Sequence, residues 1–389
     1  MGTHERRARL GRRHHLGPDA AAPDVAGLVS DLVGLHATDP SSVYLAARAR
    51  LREPTVDAME HALYDERSVV RMLGMRRTVF VVPAGLVAVV HAACTTAIAT
   101  RERARLVQHL EEVSLPAGEG SAWLRTVQEA AVAALEERGE ATAAELAGVV
   151  PGLRHRLVFG VGSKWETTVA AGSRVLGVLA AEGRIVRGRP RGSWTSSQYR
   201  WAPASTWLPE APATVGADEA RAELVRRWLA AFGPATVADL AWWSGLPAGQ
   251  VRRALSDVGT VDVHLDEGPA LVLAGDLEAT PEPPPWVALL PALDPTVMGW
   301  KERGWYLGDH GPALFDRSGN AGPTVWCDGR VVGGWAHRQD GEVAVRLLED
   351  VGTEAAAAVD VEAERLGRWL GAARVTPRFH TPLERELTA

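Results

Sequence analysis

The sequence predicts an α+β protein in which three helical stretches each end in a β-hairpin and a β-rich region follows them. In each stretch apolar residues recur three and four positions apart, which is the spacing of one helix face. Short apolar runs separated by turn residues come next and indicate paired strands. The chain has 389 residues, which is enough for several domains.

The first stretch, residues 1–90, contains signals for three helices and one hairpin. Pro23 and Asp24 stand before the first apolar pattern, and Thr55 is a residue type that commonly caps a helix N-terminus. Gly74 lies between two apolar runs, where a hairpin turn is expected. The predicted elements are a helix over 25–35, helices beginning near Pro40 and Thr55, and strands over 69–73 and 78–82.

The second stretch, residues 91–205, repeats this order. Gly139 and Gly183 each follow a helical pattern and are expected to end it. Thr142 and Glu145 have the spacing of a capping box at the start of a short helix. The predicted elements are helices over 121–138 and 163–181, a short helix after Thr142, and hairpin strands over 184–187 and 194–201.

The third stretch, residues 215–278, again places a hairpin after three helices. Gly233 and Pro234 break the first helical pattern, and Thr236 is the predicted cap of the second helix. The predicted elements are a helix through Leu224 and Phe232, a helix through Leu240 and Trp243, a helix over 248–255, and hairpin strands over 261–265 and 271–273.

Helix, short helix, helix and hairpin is the order of the winged helix, in which a helix-turn-helix is followed by a β wing. We therefore predict three tandem winged-helix modules. The proline-rich residues 278–284 are interpreted as a linker to a small C-terminal domain over 285–389. Short apolar runs there predict a β-rich, barrel-like domain, and a final helix is predicted over 354–370.

The hairpin of the second module is the most basic of the three wings. Arg187, Arg189 and Arg191 fall within it, and Ser193 and Trp194 follow its turn. Because arginine pairs with phosphates and a narrow turn can enter a groove, we expect this wing to contact double-stranded DNA. A solvated arginine-rich loop whose tryptophans serve the core is the alternative.

The net charge of −6 argues against a protein that coats nucleic acid non-specifically. The same net charge is compatible with a local basic surface, because phosphate contacts need a cluster of basic residues on only one face of the protein. Another cluster, formed by Arg101, Arg103 and Arg105, is interpreted as a solvated helix face.

Several other classes of function lack the residues that they need. The two cysteines, Cys94 and Cys327, lie far apart, and no His/Glu or paired-Cys pattern has metal-ligand spacing, so we expect neither a metal nor a cofactor. The segment 160–164 lacks the residue order of a phosphate-binding loop.

No signal core follows the basic N-terminus, and no apolar run was found that approaches the length of a membrane span. We therefore expect a cytoplasmic protein without a membrane partner, and a monomer, because no separate coiled-coil segment is evident.

One segment is distinctive. Residues 34–40, Gly-Leu-His-Ala-Thr-Asp-Pro, are followed at 44–48 by Tyr-Leu-Ala-Ala-Arg, and together they resemble the catalytic segment of the winged-helix alkylpurine DNA glycosylases, the family that includes the azinomycin-resistance glycosylase. Four further segments of this chain resemble parts of the family. Residues 75–78 resemble its first hairpin, and residues 188–194 resemble its second wing. Residues 232–236 resemble its third module, and residues 290–295 resemble the start of its C-terminal β domain. The resemblance implies tandem winged helices around a concave DNA-binding face. It also implies DNA contacts by Arg76 and Arg77 in the first hairpin, and association with the nucleoid when DNA is bound.

The family's catalytic pattern is Gln, an apolar residue, then Gln or Asp, and these positions fall here on His36 and Thr38. The resemblance therefore implies catalytic roles for both. A neutral His36 can orient or deprotonate a water, so activity is expected to fall as the pH drops through an unperturbed histidine pKa of about 6.5. A structural or DNA-contacting histidine is the alternative.

Asp39 comes one position later and has two interpretations. If the segment is helical, Asp39 lies three residues from His36, shares its face and supplies the missing carboxylate. Otherwise Asp39 caps the helix that begins near Pro40.

The resemblance implies a monofunctional DNA glycosylase that excises alkylated or bulky-adduct purines from duplex DNA by water attack at the anomeric carbon. Such an enzyme would serve base excision repair, or self-resistance against a DNA-damaging antibiotic. The alternative function is that of a non-catalytic winged-helix DNA-binding protein, such as a regulator or a lesion shield.

Overall fold

The computed structural model describes residues 1–160, 162–208 and 214–389, and within them it combines helices with small antiparallel sheets. The predicted α+β class is confirmed. Four regions follow one another along the chain, and they are described in order.

The first region begins with a helix that the sequence pattern did not reveal. Three of its arginines face the third region, where Arg9 and Arg13 both pair with Asp276 and Arg6 pairs with Glu267. The basic N-terminus is thus held by carboxylates of the protein itself. The elements of this region are α1 (Thr3–Arg13), α2 (Val25–Asp31), β1 (Leu35–His36), α3 (Pro40–Arg48), α4 (Val56–Glu60), β2 (Val69–Leu73) and β3 (Val79–Pro83).

The helix predicted over 25–35 ends early, at Asp31. Val33 and Gly34 adopt positive φ values of 62° and 154°, so the chain leaves the helix there. Leu35 and His36 then pair with β3 in a three-stranded antiparallel sheet of order β1-β3-β2. The start of α3 at Pro40 and the capping of α4 by Thr55 are confirmed.

The second region contains a hairpin where the sequence predicted the first part of a helix. Residues 167–170 form a strand, and the helix starts only at Gly172. Thr167, Thr168 and Val169 are β-branched and favour a strand, which the helical periodicity concealed. The elements are α5 (Val87–Val90), α6 (Thr96–Val113), α7 (Gly120–Arg138), β4 (Ala141–Thr142), α8 (Ala143–Val149), β5 (Arg156–Phe159), β6 (Thr167–Ala170), α9 (Gly172–Ala181), β7 (Ile185–Pro190), β8 (Tyr199–Pro203) and α10 (Ala204–Trp207).

Two local predictions for the second region are confirmed. Gly139 follows α7 with a φ of 77°, and Thr142 and Glu145 form the capping box of α8. The second hairpin is also present as β7 and β8, but β8 begins at Tyr199, so residues 191–198 form a loop and not a strand.

One long apolar helical stretch needs separate mention. Residues Ala84–Val113 are long and apolar enough, by length and composition alone, to cross a membrane, although no apolar run of that kind was recognised in the sequence. Part of this stretch is buried, with Val90 and Cys94 in the core, and the helix Ala217–Phe232 of the third region packs against it.

The third region follows the predicted order closely. Thr236 caps the second helix and forms a capping box with Asp239. The elements are α11 (Ala217–Phe232), α12 (Val237–Ser244), α13 (Ala248–Val258), and the paired strands β9 (Thr260–Leu265) and β10 (Gly268–Leu273).

The last region is an open sheet and not the predicted barrel. Its four strands pair antiparallel in the order Val287–Leu290, Thr324–Cys327, Arg330–His337 and Val343–Leu347, and no pairing joins the two outer strands among the described residues. The helix predicted over 354–370 is present as Thr353–Leu370, and it packs on the two outer strands of this open sheet. The elements are β11 (Val287–Leu290), α14 (Gly304–Leu307), α15 (Gly311–Leu314), β12 (Thr324–Cys327), β13 (Arg330–His337), β14 (Val343–Leu347), α16 (Thr353–Leu370) and α17 (Pro382–Thr388).

The apolar core is divided unevenly among these regions. The second region holds a cluster of its own between α6, α7 and α9. Buried residues of the first, third and fourth regions join into one larger cluster, to which β7, β8 and α10 of the second region add a few residues. A smaller cluster lies between α16 and the sheet. The first region is therefore fixed between the third region and the C-terminal sheet.

Candidate functional site

The segment 34–40 lies at the edge of the first sheet and is fixed by backbone contacts. Leu35 and His36 pair with Val81 and Phe80 of β3. A Cβ atom at Gly34 would lie 3.0 Å from the Val81 carbonyl oxygen, so glycine is required there by space as well as by φ. The Ala37 amide then donates to the Val79 oxygen at 2.8 Å.

His36 is buried and held neutral. Only 5% of its surface is exposed, and its ring centroid lies 5.0 Å from that of Phe80. Burial, with a smaller contribution from the charge of Arg76, lowers the pKa of His36 to about 3. Its Nδ1 has no hydrogen-bond partner among the described residues. The imidazole is therefore a weak base whose Nδ1 is available for a hydrogen bond.

Thr38 is half-buried, and its hydroxyl is similarly unengaged. Its Oγ1 is shielded from solvent and has no hydrogen-bond partner in the described part of the chain. A buried hydroxyl without a partner is costly, so it marks a place where a water or a ligand atom can bind.

Asp39 caps helix α3. Its Oδ1 accepts hydrogen bonds from the amide and hydroxyl of Ser41 at 3.0 and 2.8 Å, and its Oδ2 accepts from the Arg378 amide at 3.0 Å. His36 lies in a strand, so the helical face that the two residues were expected to share does not exist. No ion pair joins Asp39 to a cation among the described residues. Its charge is held by neutral donors.

Arg76 and Arg77 form the tip of the first hairpin, and both have positive φ values, of 52° and 59°. The Arg76 guanidinium lies 4.1 Å from the ring centroid of Trp242, which Arg303 also approaches, at 4.5 Å. Burial and the charge of Arg303 lower the pKa of Arg76 to about 10. Arg77 is exposed and pairs with Glu102 at 3.0 Å.

The arginines of the second wing have different surroundings. Arg187 is half-buried over Trp201, and burial lowers its pKa to about 10, with a further effect from the charge of Arg71. Arg189 forms ion pairs with Glu60 and Asp65. Arg191 is exposed and makes no ion pair among the described residues. Of the three, only Arg191 presents an uncompensated charge to solvent.

The loop after these arginines folds back on the protein. Trp194 packs against Tyr44 of α3 and Trp369 of α16, with ring centroids 5.1 and 5.7 Å apart. Ser193 remains exposed, and its Oγ lies 2.8 Å from that of Thr195. Trp194 thus joins the wing to the first region and to helix α16.

Arg71 is a site residue that the sequence analysis missed. It is 2% exposed, and its Nη1 donates to the Ala37 carbonyl at 3.2 Å, between His36 and Thr38. Its guanidinium lies 4.8 Å from the ring centroid of Tyr199 in β8. Burial keeps the pKa of Tyr199 above its ordinary value. A charged residue in the middle of the apolar strand 69–73 was the signal that could have revealed it.

The sheet separates two sides of this site. His36 and Phe80 face one side, where Trp243 of the third region also packs. Arg71 lies among Tyr44, Tyr64 and Tyr199 and contacts the second wing. The segment 36–39 therefore lies where the first three regions meet. No group of three or more His, Cys, Asp or Glu that could hold a metal ion occurs among the described residues.

Comparison with known proteins agrees with the resemblance of segment 34–48. A sequence model of the family described as "DNA glycosylase AlkZ-like" matches residues 29–369. The chain is 29% identical over 215 residues to the "Interstrand DNA cross-link repair glycosylase" of Streptomyces sahachiroi, a match that covers 53% of this chain and 57% of that protein. The solved structure of Streptomyces sahachiroi DNA glycosylase AlkZ superposes with a TM-score of 0.70 at 21% identity, covering 97% of this chain and 98% of the other, which shows a common fold. Because the family match extends over most of the chain, this protein belongs to the AlkZ-like DNA glycosylase family.

Proposed function

We propose that this protein is a monofunctional DNA glycosylase that removes alkylated or bulky-adduct purines, including purines joined in a cross-link, from duplex DNA. The observation that carries the proposal is the segment 36–39, where the unengaged polar atoms of His36 and Thr38 stand beside the buried carboxylate of Asp39. Tandem winged helices around this segment would give the DNA-binding face. We place the enzyme in the cytoplasm, as a monomer.

The chemistry of the substrate explains why such a site suffices. Alkylation at a purine ring nitrogen makes the base a cationic, good leaving group, so the enzyme must mainly stabilise a sugar that develops oxocarbenium character. The Asp39 carboxylate supplies negative charge for this. The Thr38 hydroxyl can orient the attacking water. His36, with a pKa of about 3, stays neutral and does not repel the developing positive charge.

Lysine usage supports a monofunctional reaction. A glycosylase that also cleaves the strand needs an amine that forms a Schiff base with the sugar. The chain has only two lysines, Lys164 and Lys301, and neither lies in the segment 34–48. The Nζ of Lys301 faces Glu302 at 3.8 Å. Water is therefore the proposed nucleophile.

Incubation with duplexes that carry N7- or N3-alkylpurines tests this function. The expected result is release of the free base and formation of abasic sites, with strand breaks only after alkali. Strand breaks without alkali would refute the monofunctional reaction.

A second candidate function is lesion binding without excision. It is favoured by the full engagement of both Asp39 oxygens and by the 5% exposure of His36. Tight binding of alkylated duplex with no released base, at any enzyme excess, would support this function over the first.

A further inference from the structure

A cleft of about 670 Å³ lies between α6 and α9 and is lined by an excess of positive charge. Two carboxylates, Glu102 and Glu112, also line the cleft. Glu102 is shared by two of the arginines, at 3.0 and 3.3 Å, and Glu112 accepts a hydrogen bond from Gln108. The arginines are Arg77 at the first hairpin, Arg105 on α6, Arg174 on α9 and Arg187 on β7.

Two of the four arginines, Arg77 and Arg105, share Glu102, whereas Arg174 is free of such a pairing in the part of the chain that the structure describes. It is exposed and makes no ion pair with a carboxylate among the described residues. In a chain of net charge −6, four arginines beside two carboxylates form a local positive site. Such a site attracts a polyanion by charge complementarity.

A flat aromatic pair lies in the same cleft. The rings of His109 and Phe159 are stacked, with centroids 4.3 Å apart and an interplanar angle of 19°. The Arg174 guanidinium lies 5.4 Å from the Phe159 centroid. The Nε2 of His109 is shielded and has no hydrogen-bond partner within the described part of the chain. Aromatic surfaces beside arginines are what unpaired bases and their phosphates bind.

The α9 side of the cleft is smooth. Ser173, Gly177 and Ala180 line it, and a Cβ atom built at Gly177 would meet nothing within 4 Å. Small side chains leave room for a sugar-phosphate backbone to approach the helix closely.

We propose that this cleft binds a single DNA strand: a few unpaired nucleotides that flank the lesion, with phosphates on the arginines and a base stacked on His109. The inference rests on the proposed function and adds a strand-binding site to it. Only an unpaired base exposes a face for stacking.

The position of the cleft fits this role. Leu73 lines the cleft and lies two residues along strand β2 from Arg71, which donates to the Ala37 carbonyl. Arg77 directly follows Arg76, whose charge acts on His36. A strand in the cleft would therefore end close to the catalytic segment.

The test is the anisotropy of a labelled oligo-dT strand titrated with the full chain at several salt concentrations. The double variant Arg105→Ala and Arg174→Ala should bind more weakly, and its salt slope should fall by about 0.7 for each lost phosphate contact. The matched control is Arg365→Ala with Arg368→Ala, which removes the same charge from the exposed face of α16 and should leave the slope unchanged.

Stacking is tested separately from charge. His109→Ala should weaken oligo-dT binding about fivefold or more at an unchanged salt slope, whereas His109→Phe keeps a flat ring and should retain the affinity. An abasic oligomer has phosphates but no bases, so wild type and His109→Ala should bind it with the same affinity. Melting temperatures of all variants show whether each one folds.

Three results would overturn the inference while leaving the proposed function intact. In the first, the wild type excises and binds duplex but not oligo-dT. In the second, the Arg105 and Arg174 double variant behaves like the α16 control. In the third, His109→Ala, folded, binds oligo-dT as well as wild type does. A wild type that neither binds nor excises damaged duplex would instead refute the proposed function.

Discussion

Arg50, just beyond helix α3, and Asp294, just beyond strand β11, form a buried bidentate ion pair. The two guanidinium–carboxylate distances are 2.8 and 2.7 Å, and neither side chain is exposed. Arg50 also donates to the His14 carbonyl and to the Thr296 hydroxyl. This network ties helix α3, which follows segment 34–40, to the C-terminal sheet, so it holds α3 and its cap residue Asp39 in place.

The first prediction concerns this pair. Arg50→Met leaves Asp294 buried and uncompensated, and it should lower the free energy of unfolding by about 3–5 kcal/mol. Chemical denaturation measures the change, with Arg365→Met on the exposed face of α16 as the control. A loss of less than about 1 kcal/mol would show that water or another group compensates the aspartate.

The second prediction concerns acid stability. His36 has a folded pKa of about 3 against an ordinary value of 6.5, so between these pH values the unfolded chain binds a proton that the folded chain does not. The free energy of unfolding should therefore fall as the pH drops through this window, by up to about 1.4 kcal/mol per pH unit from this residue.

His36→Gln removes that titration. Between pH 3 and 6.5 the slope of its unfolding free energy against pH should be smaller than that of the wild type by up to about 1.4 kcal/mol per pH unit, which corresponds to one proton. His14, which is fully buried and has a lowered pKa, stays in both proteins and cancels in the comparison. Parallel profiles for the two proteins would mean that His36 titrates normally.

The same pKa alters the expectation for activity. An unperturbed histidine would have made excision fall as the pH drops through about 6.5. With its pKa lowered to about 3, His36 stays neutral near pH 6.5. The rate of single-turnover excision should therefore depend on pH in the same way near pH 6.5 in the wild type and in His36→Gln. A loss near pH 6.5 that disappears in His36→Gln would contradict the buried, neutral state.

The third prediction separates the two roles of Asp39. Asparagine can keep the helix cap through its side-chain oxygen, but its NH2 group cannot accept the hydrogen bond that the Arg378 amide donates to Asp39, so Asp39→Asn should lower the melting temperature moderately. It removes the charge, however, and single-turnover excision should fall by about two orders of magnitude if the carboxylate stabilises the sugar cation. An unchanged rate would show that Asp39 caps helix α3 and does not stabilise the sugar cation.

Ser41→Ala is the matched control. It deletes one donor to Asp39, the hydroxyl at 2.8 Å, and keeps the charge. Both variants should lose some stability, but Ser41→Ala should largely retain the rate, whereas Asp39→Asn should lose it.

The fourth prediction concerns the second wing. Arg191 is exposed and makes no ion pair among the described residues, so Arg191→Ala should lower the salt slope of duplex binding by about one unit. Arg189 is already paired with Glu60 and Asp65, so Arg189→Ala should change the slope less. Equal slopes for Arg191→Ala and wild type would remove the wing tip from the DNA-binding surface.

The sequence by itself determined several helix caps and the family. The caps at Thr55, Thr142 and Thr236 were predicted because a capping interaction spans only three residues, which the sequence shows directly. The resemblance of residues 34–48 to a glycosylase segment pointed to the same family that the comparison supports. Such signals depend on residue type and spacing, and they need no knowledge of distant neighbours.

Only the tertiary structure decided the surroundings of each side chain. His36 belongs to a strand and lies against Phe80, and its lowered pKa results from burial by residues distant in sequence. Arg71 reaches Ala37 and Tyr199 only because the first sheet and the second wing meet. The charge of a residue can be read from the sequence, but its exposure and its partners depend on packing, and these determine whether an arginine such as Arg189 or Arg191 is free to contact DNA.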